Sequence, residues 1–199
     1  MDFNRIMNKT QLKEWLESER YNYGISKGLF SLIKMRITGN ELSVIWRFQS
    51  ILRYTEYHTN SHHYLRAAIF KCMYNRISNK YGLHIGINVC GKNLRIMHLG
   101  SILTNDKCRM GENVALHINT AFVAQGVSNE APTIGNNVVV GVGATIVGGV
   151  VLADGIAVGA NALVNKSFFE EDIAIAGIPA KKVSDNGRSK WNKGHKCEG

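Results

Sequence analysis

The sequence predicts a mainly β fold, in which a parallel β-helix follows an α-helical N-terminal region. Two observations carry this prediction. Residues 1–80 are rich in Leu, Ile, Arg, Lys and aromatic residues and contain no Pro. From Tyr81 onward Gly becomes frequent, β-branched residues take over, and apolar residues recur every six positions. The 199 residues are enough for one large domain or for one domain with an appendage.

The N-terminal region has helical periodicity. The segments TQLKEWLESER and ELSVIWRFQSILRY both place apolar residues at helical spacing. In SHHYLRAAIFKCMYNRIS we expect an apolar face formed by Tyr64, Ala67, Ala68, Cys72 and Ile77. The histidines near the junction of these helices are expected to be exposed polar residues rather than metal ligands: His58, His62 and His63. We interpret residues 1–80 as a packed helical region or an oligomer contact.

A six-residue repeat runs through the C-terminal part. Its leading residues are Thr104, Met110, Leu116, Phe122, Ile134, Val140, Ile146, Leu152, Val158 and Val164. Six residues on an α-helix rotate by about 600°, which leaves successive members about 120° apart, and a flat strand alternates every two residues. A short strand followed by a bend fits the period, and three such units close a triangular coil of about 18 residues. We therefore expect stacked coils over residues 81–183, with the leading residues pointing inward.

Composition restricts the class of protein. Hydrophobic residues make up 45% and charged residues 20% of the chain, which is an ordinary globular composition. No secretory signal is predicted, because the N-terminal sequence lacks a basic start followed by an apolar core. No membrane-spanning segment is predicted, because the apolar stretch at 138–164 contains Asp154 and regularly placed glycines. Without a CxxC pair, the cysteines are expected to be reduced thiols: Cys72, Cys90, Cys108 and Cys197. These features predict a cytoplasmic protein.

The formal net charge of +9 and the basic tail of residues 184–199 favour an anionic partner. No nucleic-acid-binding motif is recognisable, so nucleic acid is not an expected partner. A phosphorylated small molecule is the favoured one, and a solvated basic surface without a specific partner is the alternative. The spacing of histidine and cysteine residues predicts no metal site.

The six-residue units resemble the hexapeptide-repeat, left-handed β-helix acyltransferases. The closest likeness is to serine O-acetyltransferases and their relatives in surface-polysaccharide biosynthesis. A helical region precedes the β-helix, the segment LRIMHLGSIL looks like the catalytic-histidine segment, and IAGIPAKKV looks like the closing motif that folds over coenzyme A. The resemblance implies a left-handed coil and an acetyl-CoA-dependent O-acetyltransferase. It also implies a homotrimer, or a dimer of trimers joined by the helical region.

Acetyl transfer to a hydroxyl requires a base for the hydroxyl proton, and the resemblance gives this role to His98. Two counts of the repeat are open here. Counting back from Thr104 makes His98 an inward position, whereas starting from Ile96 with a two-residue insertion lets its side chain leave the coil; we favour the second count. His117 follows Leu116 by one place and is expected at a corner, where it binds the acceptor or assists the base.

Three further residues are predicted to contact the acceptor: His84, Asn119 and Glu130. His84 occupies the place of an acidic residue that orients the catalytic histidine in serine acetyltransferases, so the group orienting His98 stays unidentified. A loop is expected near 126–133. Where those enzymes have an Arg-His-Pro run, this loop has Glu130, Ala131 and Pro132. A lost charge-assisted hydrogen bond of roughly 1.5–3 kcal/mol argues for a neutral acceptor such as a sugar hydroxyl.

The predicted contacts of coenzyme A follow from its apolar pantetheine arm and its phosphates. Small residues are predicted to line a groove for the arm: Gly141, Gly143, Ala144, Gly159 and Ala160. The closing motif contributes Gly177, Pro179 and Ala180, and the phosphates are expected to meet Lys166, Lys181 and Lys182. Each of these residues also has a plain structural interpretation as a corner or surface residue.

We therefore expect an enzyme that moves an acetyl group from acetyl-CoA to a hydroxyl of a sugar in a surface polysaccharide or its precursor. Serine is the alternative acceptor. A metal-dependent hydrolase or carbonic anhydrase on the same fold would need three converging histidines. A binding or scaffold protein with an inactive site is the remaining alternative.

Overall fold

The computed structural model describes residues 5–26, 28–126 and 128–191. The second half of the basic tail, residues 192–199 with Cys197, lies outside these ranges. Four helices come first: α1 (Lys9–Asn22), α2 (Leu29–Ile37), α3 (Glu41–Asn60) and α4 (Tyr64–Tyr81). Asn8 caps α1 by accepting a hydrogen bond from the Gln11 backbone N–H, and Asn40 caps α3 in the same way through Leu42. No helix among the described residues is long and apolar enough to cross a membrane.

The predicted apolar face of α4 is wrong in most of its members. Tyr64 is 80% exposed, and of the five predicted residues Ile77 alone is buried. The helix instead turns toward the aromatic side chains of α3. The Tyr74 ring lies 5.9 Å from that of Phe48, and the Phe70 ring lies 5.1 Å from that of Tyr54. Packing against α3 therefore decides which face of α4 is covered.

Fourteen short strands follow within the described ranges, and every pairing except that of β13 with β14 is parallel. Their bounds are β1 Leu83–His84, β2 Arg95–Ile96, β3 Ile102–Thr104, β4 Arg109–Met110, β5 Ala115–Leu116, β6 Thr120–Val123, β7 Thr133–Ile134, β8 Val139–Val140, β9 Thr145–Val147, β10 Val151–Leu152, β11 Ala157–Val158, β12 Leu163–Val164, β13 Ala174–Gly177 and β14 Ala180–Ser184. A short 3-10 helix, Arg188–Trp191, ends the described chain.

The strands form the three faces of a prism. Face 1 contains β1, β3, β6, β9 and β12; face 2 contains β4, β7 and β10; face 3 contains β2, β5, β8, β11, β13 and β14. The chain runs from face 3 to face 1 to face 2 in each coil and then rises to the next. The repeat predicted from the sequence is confirmed, because all ten leading residues are buried inside this prism, none more than 6% exposed.

Asparagine and glycine serve the corners in different ways. Several corner asparagines adopt the left-handed backbone conformation, including Asn93, Asn113, Asn119 and Asn161. Gly141 has no such φ, but a Cβ built on it would lie 2.8 Å from the Val158 carbonyl oxygen. Glycine is therefore required at this corner because successive coils approach each other closely.

Both ends of the coil stack are covered. At the first coil, the buried Arg53 of α3 donates hydrogen bonds to the carbonyl oxygens of Cys90 at 2.9 Å and Gly91 at 2.7 Å. Two carboxylates, Glu19 at 2.7 Å and Glu56 at 2.8 Å, pair with its guanidinium group. At the last coil, β14 turns back and pairs antiparallel with β13.

Candidate active site

Two edges of the prism carry the residues predicted from the sequence. The histidine edge lies where the chain passes from face 3 to face 1, at 97–101, 117–119, 141–144 and 159–162. The turn between β13 and β14 at 177–179 lies at the same end of face 3. The loop edge lies where the chain passes from face 1 to face 2, at 105–108, 124–132, 148–150 and 165–167. A strand of face 1 joins the two edges in each coil, so they lie roughly 10 Å apart, the length of about three residues of strand.

His98 lies outside the coil on the histidine edge. Ile96 pairs with Leu116, and Thr104 pairs with Phe122, so the first coil has two residues more than the second between these pairs. This register matches the count with a two-residue insertion, and the His98 side chain is 60% exposed. The extra length allows the turn at 97–101 to carry an imidazole away from the core.

A carboxylate from the helical region contacts His98. Glu41, the first residue of α3, places Oε1 3.1 Å from His98 Nδ1 and accepts a hydrogen bond from the Leu99 backbone N–H at 3.1 Å through Oε2. The Leu99 hydrogen bond and the His98 ring hold the pKa of Glu41 below its usual value. Because an ionised carboxylate can only accept hydrogen bonds, Nδ1 of His98 carries the proton and Nε2 is left as the basic nitrogen.

His117 lies beside His98 one coil further along. The two ring centroids are 6.5 Å apart. Burial lowers the pKa of His117, and the nearby charges of His98 and Arg188 lower it further. His117 is therefore neutral at pH 7, so it can exchange a hydrogen bond with a bound molecule without adding a second positive charge beside His98.

Most of the small residues predicted to line a groove stand in one column above these histidines. Gly141 and Gly143 lie on the third coil, Gly159 and the exposed Ala160 on the fourth, and the exposed Gly177 and Pro179 on the last. Two predicted contact residues need correction, because their side chains belong to the core: Ala144 is 0% and Ala180 is 1% exposed. A bound molecule cannot reach these methyl groups.

The remaining predicted residues lie away from this column. Glu130 and Lys166 are exposed on the loop edge. Glu130 folds toward the next coil, where a Cβ built on Gly149 would lie 2.6 Å from its Oε2. Lys181 is exposed on β14, and Lys182 beside it pairs with Glu170 and Asp185, both at 2.5 Å. In one chain, then, the loop and the histidines occupy different edges.

Among the remaining candidate residues, Asn119 lies on the histidine edge, whereas His84, Cys90 and Cys108 do not. His84 lies on the exposed outer face of β1, while Asn119 is exposed at the corner after His117. Burial raises the pKa of the Cys108 thiol to about 12 and also raises that of Cys90, so neither is a nucleophile at neutral pH. The described ranges contain no group of three or more His, Cys, Asp or Glu side chains arranged to hold a metal ion.

Sequence reasoning missed two residues of this region. Glu41 is 57 positions from His98 and belongs to the helical region, so no local spacing connects them. Arg188, in the returning C-terminal segment, donates a hydrogen bond to the Val138 carbonyl oxygen at 2.9 Å, the oxygen that also accepts from the Ala115 N–H. The sequence signals only the start of a helix here, because an acidic residue follows Gly39 and Asn40 and precedes apolar residues; it does not signal the contact with His98.

The stacked coils define a hexapeptide-repeat β-helix. Solved serine acetyltransferases share this fold. The Brucella abortus enzyme matches with a TM-score of 0.70 over 90% of this chain and 72% of that one, at 15% identity. The structure of the serine acetyltransferase from that bacterium in complex with coenzyme A matches with a TM-score of 0.61 over 88% of this chain and 67% of that one, at 16% identity. The predicted left-handed β-helix after a helical region is thereby confirmed.

The relatives found by sequence carry the same name. The serine acetyltransferase of Staphylococcus xylosus is 29% identical over 108 residues, which are 53% of this chain and 49% of that protein. The chain thus spans about half the length of the curated relatives it matches. No protein-family model matches the chain. The likeness to serine O-acetyltransferases that was expected from the sequence is confirmed.

Proposed function

We propose that the protein is an acetyl-CoA-dependent O-acetyltransferase with His98 as general base. One observation carries this proposal: His98 and His117 stand 6.5 Å apart at the foot of a column of small residues on one edge of the prism. Acetyl transfer from acetyl-CoA requires a base beside a surface on which the long pantetheine arm can lie, and small residues provide such a surface. The names of the relatives and the coenzyme A complex of the Brucella abortus enzyme support the same reaction.

In this mechanism each residue has a limited task. His98 Nε2 accepts the proton of the acceptor hydroxyl as its oxygen attacks the thioester carbonyl. The tetrahedral adduct then collapses, the C–S bond breaks, and the proton passes from His98 to the departing thiolate of coenzyme A. His117 supplies a neutral hydrogen-bonding partner beside the base. The exposed Ala160, Gly177 and Pro179 leave room for the pantetheine arm higher on the edge.

The names of the relatives favour serine over the sugar that was our first expectation for the acceptor. Serine is therefore the acceptor we propose. A sugar hydroxyl stays as the second candidate because of the loop, in which Glu130 stands where an arginine would grip a carboxylate. Glu130 would repel the serine carboxylate but can accept hydrogen bonds from sugar hydroxyls.

The separation of the two edges supports a trimer. Within one chain a strand of face 1 separates the loop edge, with Glu130, from the histidine edge, so a second copy of the chain is the better source of loop residues for that edge. A threefold arrangement allows each histidine edge to meet the loop edge of its neighbour. We therefore propose a homotrimer with three shared sites. Its compartment would be the cytoplasm, in keeping with the unpaired thiols of Cys72, Cys90 and Cys108.

The test is an assay of coenzyme A release with serine, free sugars and nucleotide-sugars as acceptors. We expect release with one class, and His98→Ala should lower turnover by about 10²–10⁴-fold. Release with serine alone supports the first acceptor, and release with sugars alone supports the second. No release with any hydroxyl acceptor, together with no binding of acetyl-CoA in calorimetry, would contradict the enzyme proposal.

A further inference from the structure

His98 requires an orienting group, because it lies in an exposed turn. Its side chain is 60% exposed, and an imidazole in water exchanges between tautomers and rotates freely unless a partner fixes it. A general base must present an unprotonated nitrogen in a constant direction. His84, at the position where the resemblance implies an acidic residue, cannot supply a carboxylate.

We propose that Glu41 is the positioning residue of His98, so that the N-terminal helical region supplies part of the active site. This inference rests on the proposed role of His98 as the base. Glu41 holds two consecutive residues of the turn, the His98 ring through Oε1 and the Leu99 N–H through Oε2, each at 3.1 Å. It thereby fixes the backbone and the ring together.

The chemistry of this pair suits a base. The ionised carboxylate keeps the proton on Nδ1, which leaves Nε2 free of a proton and ready to accept one. When Nε2 takes the hydroxyl proton, the imidazolium that forms is stabilised by the negative charge of Glu41. The titratable His117 lies beside the His98 ring, and the charge of Arg188 acts on His117.

The helix that carries Glu41 is fixed to the first coil, close to His98. Gln49 of α3 donates to the Leu94 carbonyl oxygen at 2.8 Å and accepts from the Tyr23 hydroxyl at 2.8 Å. The same hydroxyl accepts from the Ile96 N–H at 2.8 Å. These contacts lie within four residues of His98, and the Arg53 contacts with Cys90 and Gly91 extend them. A carboxylate 57 positions away can thus be held to a constant place.

Stability does not explain the contact. The Glu41 side chain is 43% exposed, and exposed ion pairs contribute about 0–1 kcal/mol. The cap of α3 is supplied by the Asn40 side chain and does not need Glu41. Replacing this carboxylate should therefore leave the fold intact, which makes the substitution informative about activity.

The first experiment compares kcat and KM for acetyl-CoA in Glu41→Gln, Glu41→Asp and Glu41→Ala. We expect kcat to fall about 10- to 100-fold in the Gln and Ala variants, the loss typical of orienting partners, with the KM for acetyl-CoA unchanged within about twofold. The Asp variant should recover part of kcat, and added formate should recover part of it in the Ala variant. Glu17→Gln, an exposed acid on α1, is the matched control.

The second experiment needs no activity. Nitrogen-15 chemical shifts of the imidazole should show His98 protonated at Nδ1 in the unmodified protein and shifted toward the Nε2-protonated form in Glu41→Gln, with His62 unchanged. If the unmodified protein transfers no acetyl group but the tautomer of His98 still differs between it and Glu41→Gln, the proposed function is contradicted and Glu41 is still the orienting group. Unchanged kcat in an active enzyme, or unchanged shifts, would overturn the inference.

Discussion

At the scale of single residues, the proposed base His98 and its proposed partner Glu41 differ in how well the sequence reveals them. His98 could be predicted because its segment looks like one in known enzymes and because the repeat has to open around it. Glu41 could not, because a contact across 57 positions depends on how α3 lies on the first coil. The buried His58 was also predicted wrongly as exposed; its Nδ1 lies 3.1 Å from that of His63.

His58 leads to a prediction about pH. Burial lowers its pKa, and the nearby His63 and Arg66 charges lower it further. The folded chain binds this proton less readily than the unfolded chain does. The contribution of His58 to the free energy of unfolding is therefore at its full value above the unfolded pKa of about 6.5, and it is lost as the pH falls toward the folded pKa. We expect the decrease in Tm between pH 7 and pH 5 to be smaller by a few degrees in His58→Gln.

Thermal unfolding at the two pH values measures this effect. His62→Gln is the control, because His62 is exposed on the same junction. Equal decreases in Tm for the unmodified protein and His58→Gln would show that the buried imidazole does not couple folding to protonation in this range.

At the scale of the elements, the repeat predicted the strands well and the helical packing poorly. Six-residue spacing defines the inside of a coil without reference to other elements, so the leading residues could be assigned from sequence. The covered face of α4 is chosen by the aromatic residues of α3, so the periodicity of α4 alone was insufficient. The same limit applies to Ala144, whose small size fits a groove and a core equally well.

The column on the histidine edge gives a prediction at this scale. Ala160→Phe adds an exposed ring to the column without intruding on the core, whereas a side chain at Gly141 would collide with the coil above. We expect the KM for acetyl-CoA to rise about tenfold or more in Ala160→Phe, with Tm unchanged, because the ring occupies the path of the pantetheine arm. Steady-state kinetics and a thermal melt measure the two quantities.

Glu171→Phe, an exposed position away from both edges, is the matched control. Light scattering should show that both variants keep the assembly state of the unmodified protein. A KM that rises equally in both, or in neither, would remove the column from the path of acetyl-CoA.

At the scale of the whole molecule, the separation of the two edges means that the proposed site is complete only in the proposed trimer, where a neighbouring chain supplies the loop edge. We expect light scattering to give about three times the chain mass of 22.1 kDa. We also expect complementation between two inactive chains, one with His98→Ala and one with the loop at 124–132 shortened. In mixed trimers, some sites then combine an intact His98 from one chain with an intact loop from its neighbour.

The two variants are unfolded and refolded together, and the coenzyme A release of this mixture is measured. It is compared with the summed coenzyme A release of the two variants refolded separately. Activity well above that sum is the expected result. An active monomer, or a mixture no more active than its parts, would place the complete site within one chain.

The covered ends of the coil stack have a consequence for growth. A stack of parallel strands offers unpaired backbone N–H and C=O groups at each end, and such rows are templates on which further chains can add without limit. Here α3 bonds to the carbonyl groups of the first coil, and β14 reverses direction across the last. These contacts oppose the addition of further coils at the two ends, and association through the sides of the prism, as in the proposed trimer, gives a closed ring of finite size.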